Sequence, residues 1–153
     1  MEIETIKRIY VEKKKPFDIE AEHVFYDLKE NLGVKQLTGL RLLNRYDISG
    51  ITDDEYAAAR TTIFSEPPVD IVYDEEIPVG EDEIVIAIEY LPGQYDQRAD
   101  SAAQCIQTIT LKKRPVISAA RVFILKGTIS KEELAKIKNY LINPVDSDRK
   151  SVV

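Results

Sequence analysis

Alternating and helical patterns of apolar residues follow one another along the chain. The stretch "KRIYVEK" alternates, with Ile9 and Val11 on one side, and so predicts a strand. In "FDIEAEHVFYDLKENLG" apolar residues recur at helical spacing, Asp18 stands at the N-cap position, and Gly33 suits the helix end. A second strand, roughly "GLRLLNRYDI", precedes a helix "DDEYAAARTTIF" that Thr52 caps and "EPPVD" stops. "VDIVYDEEI" predicts a short strand or an extended connection.

The same order of elements begins again in the second half. Residues 84–90 predict a strand, "DQRADSAAQCIQTIT" a helix, "SAARVFILKG" a strand, and "SKEELAKIKNYLI" a helix that "NPVD" stops. The halves align at an offset of about 78, which places Asp18 on Asp96 and "ITDDEY" on "ISKEEL". Two units that merely share binary patterning would also look alike. The matching caps and stop signals favour an internal duplication, with repeats at about 7–77 and 83–146.

These patterns predict one α+β domain over residues 1–153. Two pseudo-symmetric β-α-β-α repeats are expected to form a mainly antiparallel sheet covered by helices. The apolar sheet faces of the two units can pack against each other, or their edges can join into one larger sheet. The sequence leaves both arrangements open.

Composition and charge narrow the class of protein. The chain has 153 residues, of which 44% are apolar and 31% charged, as in an ordinary globular domain. Its net charge of −6 disfavours nucleic acid as a partner, because phosphate binding needs clustered Lys and Arg. No apolar run approaches the roughly 20 residues of a membrane helix, and a single cysteine excludes an internal disulfide. We therefore expect a cytoplasmic protein with no membrane partner.

The stretch "YLPGQYDQRADSAAQC" has the look of an active site, because it holds the only cysteine and three charged residues close together. Alignment of the halves instead predicts a strand-to-helix turn that Pro92 and Gly93 make and Asp96 caps. The small residues after it permit close approach of a partner. We therefore predict a docking surface over residues 92–101. Its members are Pro92, Gly93, Gln94, Tyr95, Asp96, Gln97, Arg98, Asp100 and Ser101.

Two further residues are interface candidates. Arg45 and Tyr46 lie near a strand end, and Arg and Tyr are favoured anchors at protein interfaces. A cross-strand pair within the domain would use the same residue types. The sequence does not separate these interpretations.

Other candidate chemistry is weak. The six glycines form no phosphate-binding loop, and the acidic runs at 74–76 and 81–83 are more typical of solvated linkers than of a cation site. Cys105 is not in the sharp strand-to-helix turn that presents a catalytic nucleophile. It is predicted to be a small, partly buried packing residue. His23 is predicted on a helix surface. We expect no catalytic residue, metal site or cofactor in this chain, and no enzyme activity from it alone.

Five longer strings point to a family. They are "RIYVEKK", "LNRYDI", "FSEPPVD", "LPGQYDQRADSAAQC" and "INPVDS". In these strings the chain resembles the N-terminal domain of phosphoribosylformylglycinamidine synthase, a glutamine-dependent ligase of purine biosynthesis. The resemblance covers nearly the whole chain but only the start of that much longer enzyme.

The resemblance implies a fold and a role. In the family this region looks like two fused copies of the small PurS subunit, and it braces the synthetase and glutaminase domains so that ammonia passes between them. Those two domains are the implied partners, with a homodimer as a further expected assembly. ATP and magnesium are bound by the rest of the enzyme. The alternative is a free-standing small-molecule or regulatory domain with a ligand groove between the halves.

Overall fold

A computed structural model describes residues 6–91, 93–142 and 149–152. The fold combines α-helices with one antiparallel sheet, as predicted. The strands run in the order β3-β1-β2-β5-β4-β6, and each described pairing is antiparallel. Described strands are β1 (Lys7–Lys13), β2 (Leu37–Ser49), β3 (Asp70–Asp74), β4 (Glu83–Tyr90), β5 (Val116–Gly127) and β6 (Arg149–Val152). Described α-helices are α1 (Ile19–Tyr26), α2 (Asp53–Arg60), α3 (Gln97–Thr110) and α4 (Lys131–Ile142), with a π-helical segment, Asp27–Asn31, continuing α1.

The two halves share one sheet by joining edges. Each half contributes three neighbouring strands, and β2 pairs with β5 along nearly their whole length at the centre. The register repeats as well: the pair Ile84 and Leu125 lies 77 residues further along than the pair Lys7 and Ile48. Of the two arrangements that the sequence left open, the structure therefore has the larger joined sheet.

The α-helices cover one face of this sheet, where two apolar clusters lie side by side. One cluster includes Phe123 of β5 and Leu37 of β2 together with Leu28 and, from α4, Ile137. The other joins strands β1 and β2 to α2 and α3. Its buried members are Ile9, Val11, Tyr46, Ile48, Ala59, Phe64, Ala102 and Ile106. Each cluster contains residues from both halves, so the two halves share their hydrophobic core as well as their sheet.

The opposite face, here called the open face, carries a third cluster. It consists of Tyr10, Leu43, Ala87, Val122 and Ile124. The connection between β3 and β4 runs against this face, because Ile77 packs on the cluster and Arg41 donates a hydrogen bond to the Pro78 carbonyl at 3.2 Å. The connection therefore covers part of the sheet surface that the helices leave free.

The end of α2 and strand β6 differ from the sequence prediction. The helix predicted over 53–64 ends at Arg60, and residues 61–64 form a turn in which the Ile63 and Phe64 amides both reach the Ala59 carbonyl. Strand β6 was not predicted, since its sequence "RKSV" shows no apolar alternation. The Asn143–Asp146 stop signal, and with it the predicted end of the second repeat, lies outside the described residues.

Two of the three helix caps predicted from the sequence are formed by side chains in the structure. Thr52 and Glu55 form a reciprocal capping box at α2, and Ser130 and Glu133 form the same pair of bonds at α4. Asp96 caps α3 through its side chain, whereas Asp18 precedes α1 without making a side-chain cap. Within the described residues, no helix has the length and apolar content needed to cross a lipid bilayer.

Candidate functional site

The predicted docking stretch forms a turn tied to the sheet by hydrogen bonds. Gly93 has a φ of 86°, which favours glycine, and the Leu91 amide donates to Gln94 Oε1 at 2.9 Å. Asp96 accepts from the Ala99 amide at 3.1 Å through one carboxylate oxygen and from the Ala119 amide at 3.2 Å through the other. Both oxygens of Asp96 therefore serve the fold. Pro92, also predicted at this surface, lies outside the described residues.

Beyond the cap, most of the stretch faces solvent. Exposed members are Gly93, Tyr95, Gln97, Arg98 and Ser101, and partly buried ones are Gln94, Asp96 and Asp100. The Tyr95 hydroxyl donates to Asp100 at 3.1 Å, and Asp100 also pairs with Arg114. The nearby Asp100 carboxylate raises the pKa of Tyr95. The ring of Tyr95 is thus exposed but held in one place.

Arg45 and Tyr46 do not join this surface together. They point to opposite faces of β2, and both are buried. Arg45, on the open face, forms an ion pair with Glu89 on β4 and lies 3.7 Å from Asp47. Tyr46, on the helix side, packs against Phe64 with ring centres 4.9 Å apart. Their observed contacts are within the domain.

A cavity of about 450 Å³ opens on the helix side next to Asp18, and we call it the Asp18 cavity. Its walls come from β1, β2, the start of α1 and the turn after α2, and Arg98 of α3 completes it. The cavity therefore lies where the two halves meet. Its lining includes Val11, Lys13, Phe17, Asp18, Glu20, Ala21, Leu42, Asn44, Tyr46, Phe64, Glu66, Asp70 and Arg98.

Most charges around the Asp18 cavity are paired. Lys13 Nζ lies 3.0 Å from Asp70 Oδ1, and Asp70 Oδ2 accepts from the Glu66 amide at 2.7 Å. Glu20 pairs with Arg121 of β5. Asp18 Oδ1 and Asp70 Oδ1 are both buried without a hydrogen bond, but Asp70 Oδ1 lies against Lys13 whereas no described cation forms an ion pair with Asp18. Burial raises the pKa of Tyr46, which also lines the cavity, to about 12.

A second and much smaller cavity, of about 30 Å³, lies in the other half. It is lined by Ile88, Tyr90, Asp96, Arg98, Ala119, Ala120 and Arg121. Asp96 stands here where Asp18 stands in the Asp18 cavity, and Arg98 borders both. The two halves thus have pockets at equivalent positions on the sheet, and the pocket of the second half is much the smaller.

Sequence reasoning missed most of the Asp18 cavity. The contact between Lys13 and Asp70 arises because β1 and β3 pair in that register, which no local pattern shows. Asn44 did carry a signal, since it is a polar residue at a helix-facing position of β2, where Leu42, Tyr46 and Ile48 are the neighbouring helix-facing residues. Asp18 was identified only as a helix cap, a role that its side chain does not perform.

The remaining candidates lie outside these pockets. Cys105 is exposed on α3, so the prediction of a partly buried packing residue was wrong: the inward side of that helix is taken by Ala102, Ala103 and Ile106. His23 is an exposed helix residue, as predicted. Asp74 of the first acidic run binds Tyr56 and Arg60, and Glu83 of the second accepts from the Gly80 amide. Among the described residues, no three His, Cys, Asp or Glu side chains are grouped to hold a metal ion.

Comparisons with known proteins add no assignment. No protein-family model matches the chain, and no curated protein matches it either.

Proposed function

We propose that this chain is a non-catalytic assembly domain of a phosphoribosylformylglycinamidine synthase, and that it braces the synthetase and glutaminase domains for ammonia transfer. The five sequence strings that resemble the N-terminal domain of that enzyme support the family. A PurS-like arrangement is supported by the strand order, in which two three-stranded units meet at the β2 and β5 edges.

The observation that carries the docking role is a pair of exposed aromatic side chains at equivalent places. Phe17 and Tyr95 each stand directly before the aspartate that begins a helix, and they are 50% and 69% exposed. Tyr95 is also fixed by its hydrogen bond to Asp100. A rigid, exposed tyrosine is a favoured anchor at an interface, since little side-chain entropy is lost when it docks.

The test separates an effect on ammonia transfer between the domains from an effect on amidine formation itself. The chain is mixed with the separately expressed catalytic part of a synthase whose own N-terminal domain carries the same strings. Amidine formation is then measured with glutamine and, separately, with added ammonia as the nitrogen source. We expect the chain to raise the glutamine-dependent rate more than the ammonia-dependent rate, because only the former needs aligned domains. Equal rates with and without the chain, together with no binding, would refute the proposal.

A matched pair of variants locates the surface. Tyr95→Ala should weaken binding to the catalytic part by about 10-fold, as expected for an anchor worth about 1–2 kcal/mol. Tyr26→Ala, which removes an equally exposed ring from α1, should leave binding unchanged. The reverse order of effects would move the docking surface away from residues 93–101.

Small-molecule binding, the alternative function, stays a prediction. One feature favours it, namely the Asp18 cavity at the junction of the halves.

A further inference from the structure

The Asp18 cavity combines an apolar floor with charged walls. Val11, Leu42 and Phe64 provide apolar surface beneath it, and its volume of about 450 Å³ exceeds that of a single amino acid. It takes wall residues from the first half and Arg98 from the second half. A small molecule bound there would contact both halves at once.

Among the described residues, two groups of opposite charge at this cavity, Asp18 and Arg98, have no ion-pair partner. The carboxylate of Asp70 is matched by Lys13, and that of Glu20 by Arg121. Asp18 Oδ1 has no hydrogen bond, and no described side chain forms an ion pair with Arg98. The remaining acidic group, Glu66, is exposed at the rim. The cavity therefore presents a buried carboxylate oxygen of Asp18 without a hydrogen bond and, at an exposed position, the guanidinium of Arg98 without an ion pair.

In the second half, the residue equivalent to Asp18 has hydrogen-bond partners that Asp18 lacks. Asp96, the counterpart of Asp18, places its two oxygens on the Ala99 and Ala119 amides. Arg98 occupies the helix position that Glu20 has in α1. Glu20 reaches Arg121, but the strand position equivalent to Arg121 is Asn44, which offers Arg98 an amide instead of a charge. Arg98 therefore lacks the oppositely charged strand partner that Glu20 has in Arg121.

An unpartnered buried carboxylate oxygen is costly, because its lost hydration is not replaced. A ligand that supplies both a cation and an anion would satisfy Asp18 and Arg98 together. Oδ1 lies below the cavity surface, so the Asp18 side chain must turn towards the cavity to meet such a ligand. Charge-assisted hydrogen bonds at both ends would fix the ligand's orientation.

We propose that the Asp18 cavity binds a small zwitterion of the α-amino-acid type. Asp18 takes its ammonium group, Arg98 takes its carboxylate, and Val11 and Leu42 contact its side chain. This binding does not rest on the assembly role, since the residues that the proposal uses all belong to this chain.

Calorimetric titration of the chain with three zwitterions, L-leucine, L-phenylalanine and L-glutamine, tests the charge requirement. Phenethylamine and 3-phenylpropionate, which each keep one charge of phenylalanine, serve as matched ligands. We expect saturable binding of at least one amino acid, and at least 10-fold weaker binding of both single-charge analogues where phenylalanine is that ligand. No saturation by any of the three at about 10 mM, or equal binding of phenylalanine and phenethylamine, would overturn the proposal.

Three variants test the residues. Arg98→Gln and Asp18→Asn should each weaken binding of the amino acid by about 10-fold or more, because each removes one charged contact. Asp100→Asn, two residues from Arg98 but outside the cavity, should leave binding unchanged. Melting curves without ligand show that each variant is folded. Undiminished binding by folded Arg98→Gln and Asp18→Asn variants would rule out this site.

Discussion

The two halves of the chain share the same sheet but differ in how their first helices begin and end. In both, a strand leads through a turn to an aspartate that precedes a helix. Asp96 closes its turn with two hydrogen bonds to backbone amides, and α3 runs for 14 residues to a left-handed Leu111 with a φ of 58°. Asp18 makes no such bond, and α1 has eight α-helical residues before the π-helical segment.

This difference shows which part of the fold is constrained. Each central strand is hydrogen-bonded on both sides, so a change of register would break two ladders at once. The helices contact the sheet through side chains, and their ends can change without such a loss. The strands therefore keep the shared geometry while the helix starts diverge, and the Asp18 cavity lies at one of these starts.

The largest expected difference between the halves is at equivalent ring positions in β2 and β5. Phe123 is 1% exposed in its cluster, whereas Tyr46 is 8% exposed and borders the Asp18 cavity. Phe123→Ala should lower the free energy of unfolding by about 3–5 kcal/mol. Tyr46→Ala should cost less, because its ring already borders empty space on one side. Urea unfolding of both variants gives the comparison, and equal losses would contradict the asymmetry between the clusters.

The same two positions should differ in their response to alkaline pH. Burial raises the pKa of Tyr46 from 10 in the unfolded chain to about 12 in the folded protein, so its contribution to stability is complete below pH 10 and is lost as the pH rises through 12. We expect wild type to lose about 2 kcal/mol more than Tyr46→Phe between pH 9 and pH 12. Phe123 cannot ionise, so the second half has no such term at this position. Parallel stability curves for wild type and Tyr46→Phe would show that the hydroxyl ionises freely in the fold.

The smallest expected effect on stability comes from replacing the two aspartates at equivalent positions, Asp18 and Asp96. Asp96→Ala should cost about 1–2 kcal/mol, because it removes a helix cap and leaves the Ala119 amide without its acceptor. Asp18→Ala should leave the free energy of unfolding unchanged or raise it by up to about 1 kcal/mol, since Oδ1 has no bond to lose and its burial without a partner is a cost. Thermal melting compares the two variants. A larger loss from Asp18→Ala would show that Asp18 supports the fold despite its missing cap bond.

The sequence predicted elements well where a local pattern determines them. Patterns of apolar residues located β1, β2, β4 and β5, and the Thr52 and Asp96 caps marked helix starts that the structure confirms. The sequence prediction was less accurate where contacts between residues distant in the chain determine an element or its end. Strand β6 is an edge strand that pairs with β4 without an apolar pattern of its own, and α2 stops at Arg60 because the following amides converge on the Ala59 carbonyl.

The candidate site was harder to predict for the same reason. A cap, a strand residue and a helix arginine meet at the Asp18 cavity only through the sheet register and the packing of α3. Residues 93–101 could be recognised as a turn from Gly93 and Asp96 alone. The opposite orientations of Arg45 and Tyr46 follow from strand alternation, because neighbouring residues of a strand point to opposite faces of the sheet.

The connection between β3 and β4 is all that joins the two halves covalently. Opening the chain between Asp74 and Glu83 would break no strand pair, and the β2 and β5 edges would still meet at the centre of the sheet. Two fragments could then reassemble into the same structure, with a stability that depends on their concentration. In the intact chain the connection sets the effective concentration at which the two three-stranded parts of the sheet meet.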